Sequence, residues 1–284
     1  LCLLPLLSGC LMHTHKVRQA TAPPVLMEAT ADQLVQTINR VSDSVQTLNA
    51  TVDFQASVGG ATKGSVTDYT SLSGFILLKK PETVNVLGLV PVIRTRAFEL
   101  TSDGKTFELL IPSQNKLIEG SNKVTQPSPK PLENLRPGIF FNSLIPRRIS
   151  KEELVTLTKA NLTREDPVTH KSFLLPEYAL TVVRRRGENS QELIPERVIH
   201  FNRVDLEPFQ EDSYDGAGAI ETEAAYGTFE DFGGMRYPKT VTIRRPLEEY
   251  QIVVTIDKLV VNGPLADAQF ELKVPEGVVV QKLP

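Results

Sequence analysis

The sequence has no tryptophan and only two cysteines, three methionines and four histidines in 284 residues. Neither sign of charge dominates: 31 basic and 34 acidic side chains leave a formal net charge of −3, which excludes an electrostatic nucleic-acid binder. An apolar content of 40% excludes a disordered tail. No apolar run reaches the roughly 18 residues of a spanning helix. The absence of tryptophan, together with mixed polar faces, also argues against a membrane barrel with aromatic girdles. What is present is 20 proline, 17 glycine and long alternations of Val, Thr and Leu with polar residues. This pattern predicts many short strands and turns filling one domain, and argues against a helical bundle.

Residues 1–10 read Leu-Cys-Leu-Leu-Pro-Leu-Leu-Ser-Gly-Cys, an apolar run ending in small residues. It is too short and wrongly flanked for a transmembrane anchor, and is expected to be the end of a truncated secretory signal peptide. Leu7-Ser8-Gly9-Cys10 resembles the lipobox of bacterial lipoproteins. There the cysteine sulfur takes a diacylglyceryl group, and cleavage before it creates an N-terminus that is acylated in turn. Small residues at Ser8 and Gly9 admit the peptidase, and a thiol is the nucleophile that accepts the lipid. One acyl chain binds a membrane marginally, whereas two or more anchor it stably. The alternative is a buried N-terminal strand with a free thiol. If Cys2 leaves with the signal, Cys10 is the one remaining thiol of an exported protein, so no structural disulfide can form. Leu11, which is not Asp, resembles the outer-membrane default of lipoprotein sorting.

Residues 10–29 carry Pro23-Pro24 and no clean period, and read as a tether. Within it His13 and His15 lack further ligands for a metal site, so a solvated linker is expected. The domain proper is expected over 30–284. Thr30 and Gln33 form a capping-box signature, and Leu34, Ile38, Val41, Val45 and Leu48 follow at spacings of four, three, four and three, predicting an amphipathic helix packed on a sheet. From Ala50 to Val58 apolar and polar residues alternate as in a half-buried strand. Further strands are predicted at 65–70, 72–80, 83–89, 93–102, 105–111, 115–119, 172–184, 192–203, 219–230, 238–245, 250–262, 268–274 and 277–282. Turn signals such as Lys80-Pro81, Asp103-Gly104 and Asn262-Gly263 separate them into an antiparallel meander. The meander is interrupted by the Pro-rich stretch 126–131, by an apolar segment with Ile139, Phe140, Phe141, Leu144 and Ile145, and by Ser150 with Glu153, which predicts another helical turn.

Reactive motifs are missing. Gly60 to Ser65 lacks the lysine of a phosphate loop, and Gly216-Ala217-Gly218 lacks the third glycine and helix of a dinucleotide fingerprint. There is no nucleophile elbow, zinc helix or Cys/His ligand set, and His170 and His200 are read as structural or solvated. Glu207, Glu211, Asp212 and Asp215 read as a solvated acidic loop. The pairs and runs Arg147-Arg148, Arg184-Arg185-Arg186 and Arg244-Arg245 either protect sheet edges or face anionic headgroups. The expectation is a protein that is not an enzyme and needs no metal or dissociable cofactor, its one attached group being the diacylglyceryl and N-acyl lipid of Cys10.

The order of lipobox, tether, amphipathic helix, meander, mid-chain helical insert and further strands resembles the LolA/LolB superfamily of periplasmic lipoprotein carriers. The likeness rests on Leu72-Ser73-Gly74-Phe75 to Lys80-Pro81, on Leu100 to Lys105 with its Asp-Gly turn, and on Leu135-Arg136-Pro137 through Ile145. Ala268 to Leu272 with Pro275-Glu276-Gly277-Val278 completes it. The resemblance implies a mainly β fold with few helices, an antiparallel incomplete barrel of roughly ten or eleven strands closed by helices.

It also implies an apolar cavity for acyl chains, with Leu34, Ile38, Val41, Val45, Phe140, Phe141, Leu144 and Ile145 in its wall or helical lid. Periodicity alone leaves a solid core equally open. By the same likeness Leu87, Leu89 and Val90 form a membrane or transfer loop, the alternative being a loop folded onto the core. The function implied is an outer-membrane lipid-anchored carrier or receptor facing the periplasm. Its partners are the membrane, acyl-chain or lipoprotein cargo and a periplasmic carrier protein; the competing role is an anchored scaffold or sensor for a protein partner.

Overall fold

The computed structural model describes residues 25–123, 135–165, 169–187 and 190–283. The lipobox, Cys10, most of the tether and the Pro-rich stretch lie outside the described residues.

The capping box expected at Thr30 is formed. The Thr30 hydroxyl accepts from the Gln33 amide at 3.3 Å, and the Gln33 side chain accepts from the Thr30 amide at 2.8 Å. It opens α1 (Ala31–Ser44), which stops short of the predicted stripe. Val45 is already extended, and the Asn262 side chain holds the corner, donating to Ser44 O at 2.7 Å and accepting from the Gln46 amide at 2.7 Å. Leu48 therefore belongs to the first strand, not to the helix.

That strand is β1 (Thr47–Gly60), followed by β2 (Ser65–Asp68), β3 (Leu72–Lys79), β4 (Thr83–Leu89), β5 (Arg96–Ser102), β6 (Thr106–Ile111) and β7 (Lys116–Ser121). The insert forms α2 (Gly138–Leu144). After it come β8 (Leu154–Glu165), β9 (Ser172–Arg185), β10 (Leu193–Asn202), β11 (Pro208–Tyr214), β12 (Ile220–Tyr226), β13 (Phe229–Asp231), β14 (Arg236–Pro238), β15 (Thr240–Arg245), β16 (Tyr250–Val261) and β17 (Val279–Lys282).

Three sequence expectations fail here. Ser150 and Glu153 close a local turn, the Ser150 amide donating to Glu153 at 2.6 Å, but no helix follows. The alternation Val155-Thr156-Leu157-Thr158 makes β8 instead, paired along its length with β9. The predicted strand 268–274 is a 3-10 turn (Asp267–Phe270) leading into irregular chain, held to β4 by the Asn85 side chain, which donates to Gln269 O at 3.0 Å. Finally, the run 219–230 breaks at Gly227, and its end pairs with β14 as a separate hairpin.

The remaining strands form one open sheet in the order β17-β7-β6-β5-β4-β3-β1-β16-β15-β12-β11-β10-β9-β8, with β2 attached to β1. Pairing is antiparallel except between β17 and β7. Among the described residues no pairing joins β8 to β17. Both helices lie on one face of the sheet. Leu34 and Ile38 of α1 pack with Ile149, Tyr178, Leu180, Val182, Ile199 and Phe201, over β8 to β10. α2 packs into the larger apolar cluster over the rest, where Ile76, Leu78, Val86, Leu100, Ile243 and Val254 are buried.

The registers give the sheet two distinct ends. At one, β1 finishes against the start of β16, β4 finishes against the start of β5, and β6 finishes against the start of β7. At the other lies α1, held by Asn262 beyond β16 and by the Lys80 side chain, which donates to Ser42 O. The segment leading into α1 is fixed at that same end. The Met27 amide donates to Arg203 O at 2.7 Å, and Glu28 is hydrogen-bonded by Tyr178 at 2.7 Å and ion-paired with Arg203 and Lys159.

Candidate functional site

Between the first strands and α2 the inner face is hollow. A cavity of about 580 Å³ is walled by β1 with Phe54, Ala56 and Val58, β6 with Leu109 and Ile111, and β7 with Lys116 and Ile118. Ile252, Leu135 and Phe140 complete its floor, and Tyr69, Thr70 and Gln114 stand at its exposed rim. The void has a local cause. Gly74 and Gly88 face each other across β3 and β4. A Cβ on Gly88 would sit 2.3 Å from the Phe98 ring, and one on Gly74 would meet Leu87 O at 1.9 Å and Phe54 at 3.0 Å. The two glycines thus let Phe54 and Phe98 lie against the sheet, edge to face at 6.0 Å, and small Ala56 leaves the space beside them open.

Of the residues expected in the wall or lid, Phe140 lines the cavity. Val45, Phe141, Leu144 and Ile145 are buried in the adjoining core, and Tyr237 pins α2 there by donating to Leu144 O. Leu34 and Ile38 cover the distant section of the sheet, and Val41 is half-buried. The wall residues Ala56, Phe98, Leu109, Ile111 and Ile118 escaped the sequence reading. Their signal was small residues at inward strand positions next to aromatic ones, which periodicity alone does not weigh.

The residues expected in the transfer loop are not its exposed ones. Leu87 points to the opposite face, into a groove shared with Phe75, Leu77 and the segment from Ala268 to Lys273. Leu89 ends β4 only 9% exposed, and Val90 is half-buried, its amide donating to Thr95 O at 2.9 Å. The exposed apolar tip is Val92, 97% exposed, with Ile93, 66% exposed. Val92 has φ +67°, a conformation that a β-branched side chain rarely adopts. This tip stands at the end of the sheet where the cavity opens. Val66, Tyr69 and Leu247 are exposed at that same end, carried by β2, the chain after it and the turn between β15 and β16.

Beside α2 a second, polar hollow of about 270 Å³ is lined by Lys123, Arg136, Asn142, Ser143, Glu211, Glu221, Thr222 and Arg245. Arg136 lies 4.9 Å from the centre of the Phe107 ring, and burial, opposed by Tyr250 and helped by Arg245, lowers its pKa. Two of the four acids expected to be solvated are buried. Glu211 pairs with Arg197 at 3.3 Å, yet burial raises its pKa despite that cation. Asp212 pairs with His200 Nε2 at 3.4 Å, and Glu177 takes His200 Nδ1 at 3.0 Å. Burial alone would depress the imidazole, but the bonds to Asp212 and Glu177 outweigh it and raise its pKa. The arginine runs are likewise engaged: Arg147 and Arg184 with Glu196, Arg148 with Asp43, Arg186 with Glu192, Arg244 with Glu223, and Arg245 with Glu248 and Glu221.

Comparison with solved structures places this architecture. A DUF1329 family protein from Desulfovibrio piger aligns over 85% of this chain and 95% of its own, with a TM-score of 0.53 and 16% identity. A LolA superfamily protein from Nitrosomonas europaea aligns over 86% and 99%, with a TM-score of 0.51 and 14% identity. The fold is LolA/LolB-like. A domain described as outer membrane lipoprotein-sorting, from Vibrio parahaemolyticus, aligns over 85% and 97%, at a TM-score of 0.50 and 10% identity. No family model and no curated protein matches the sequence. What the neighbours share with this chain is a mainly β architecture built on an open sheet.

Proposed function

We propose that the protein is an outer-membrane-anchored lipoprotein that holds acyl chains in its apolar cavity and serves as a carrier or receptor in envelope lipid or lipoprotein traffic. The observation that carries this reading is the coincidence, at one end of the sheet, of the cavity rim with exposed Val66, Tyr69, Val92, Ile93 and Leu247. Apolar groups gathered round an apolar cavity suit a passage between bilayer and protein in which a chain meets little water. In this reading the open sheet is a half-barrel whose concave side holds the cargo, with α1 across one end and α2 against the cavity floor. The Val92–Ile93 tip takes the role first expected of Leu89 and Val90. Diacylglyceryl and N-acyl groups on Cys10 supply the anchor, and the protein acts by binding, without catalysis or a further cofactor. The lipoprotein-sorting description of a neighbour with the same fold agrees with this reading.

Native mass spectrometry of the Cys10→Ala protein, purified without detergent, tests it. Co-purified lipid of defined mass is the expected result, whereas a protein that stays empty after incubation with phospholipid vesicles points to an anchored scaffold or sensor instead.

A further inference from the structure

The sheet has one long edge that nothing closes. β8 is 12 residues long, pairs with β9 without a register shift, and none of its residues is buried. Among the described residues no strand pairs with its other side. Such an edge templates pairing with another chain unless proline, a bulge or charge blunts it. From Leu154 to Thr163 β8 has no proline and a single charge, Lys159, which is ion-paired with Glu28 of its own chain. We infer that β8 is a self-association edge, where two copies of the chain pair antiparallel about a two-fold axis through Thr158. The inference is independent of the acyl-binding reading, because β8 and the cavity strands β6 and β7 lie toward opposite edges of the sheet.

The sequence of the edge is what selects a second copy and fixes the register. A two-fold contact is isologous, so the choice of axis decides every pair. With the axis on Thr158, Leu154, 43% exposed in the single chain, faces Leu162 of the partner subunit, and Thr156 faces Ala160 of the partner subunit. On the other face Leu157 meets Lys159 of the partner subunit, whose aliphatic stem covers it while Glu28 keeps the ammonium. Val155 and Leu157 are half-buried at the margin of the apolar cluster beneath α1, and the seam covers them. Neighbouring registers are worse: an axis on Lys159 stacks two ammonium groups, and one on Ala160 sets Val155 against Glu165. The path of the chain agrees. Glu28 binds Lys159, one residue from the axis, so the segments preceding it leave both copies beside the seam. Two copies anchored through Cys10 are then held in one membrane, which raises their effective concentration.

Thiol crosslinking in the full chain carrying Cys2→Ala and Cys10→Ala reads the register. Thr158→Cys puts two Cα atoms about 4.5–5.5 Å apart across the axis, within disulfide reach, and is expected to give a covalent dimer on mild oxidation. Thr156→Cys alone leaves its thiols about 14 Å apart and should stay monomeric, whereas Thr156→Cys with Ala160→Cys should link. Sedimentation of the same parent protein should show a monomer–dimer equilibrium. Thr158→Lys, at an exposed position, should abolish the dimer at unchanged circular dichroism. If Thr158→Lys disturbs the fold, the crosslinking pattern still decides. Efficient linking through Thr156→Cys alone, or a dimer that persists in folded Thr158→Lys, overturns this pairing in favour of another surface. A protein that stays monomeric at millimolar concentration overturns self-association and leaves the edge to a different chain; acyl binding is untouched by either result.

Discussion

Replacing Ile38 by Asp tests whether α1 is held by its apolar stripe. Ile38 is 4% exposed in the middle of the helix and lies in an apolar cluster with Tyr178, Leu180, Ile199 and Phe201. Truncating such a side chain costs about 2–5 kcal/mol through lost transfer energy and the cavity left behind. Removing the carboxyl from water adds about 1–3 kcal/mol even when it takes up a proton. The total, about 3–8 kcal/mol, compares with a whole-domain stability of about 5–15 kcal/mol. Ile38→Asp is therefore expected to lower the urea midpoint severely or to leave the protein unfolded. Gln36→Asp, on the exposed side of the same helix, is the control and should stay within about 0.5 kcal/mol. Chemical denaturation followed by far-ultraviolet circular dichroism measures both. Equal midpoints for the two variants would refute the docking of α1 on β8 to β10.

Val92→Glu combined with Ile93→Glu should leave the melting temperature within about 2 °C, since neither side chain is buried, and should abolish transfer of bound lipid to liposomes; a large loss of stability would show that the tip is part of the core. Cys10→Ala should move the protein from the membrane to the soluble fraction, and a variant that still sediments with membranes after a high-salt wash would disprove a lipid anchor at that position. His200 titrates with a raised folded-state pKa, so the stabilisation from its protonated form is complete below the unfolded value of about 6.5 and disappears as pH climbs through the folded value. Denaturation midpoints measured from pH 5 to 9 should fall over that window in the native protein and lose that component in His200→Gln; identical profiles would remove the Glu177–His200–Asp212 linkage.

Much of the framework was legible because it is written locally. The Thr30–Gln33 box needs only three residues of separation, and the alternation through β1, β3 and β4 states which side chains share a face. The end of α1 was not local: Asn262, more than 200 positions away, turns the chain after Ser44 and hands Val45 and Leu48 to the core around β1. Likewise Ser150 and Glu153 satisfy each other in a turn, but β9 supplies the long hydrogen-bonded edge that makes the following residues a strand.

The candidate site divides in the same way. Sequence marked an apolar loop near Leu89 and an apolar insert at Phe140 and Phe141, because hydrophobic residues near turn signals stand out without any partner. Tertiary structure decided which of them meet water: a strand bulge between Gly88 and Leu89 and the turn after Val90 bury Leu89 and lift Val92 and Ile93 outward. It also decided that Glu211 and Asp212 are interior, since their partners Arg197 and His200 lie on the adjacent strand β10. It also placed an open apolar cavity beside a packed core. A hydrophobic period fixes which way side chains point, but the distance between the surfaces they cover depends on sheet curvature and on where small residues such as Gly74, Gly88 and Ala56 fall opposite large ones, and that distance separates a packed interior from an open cavity.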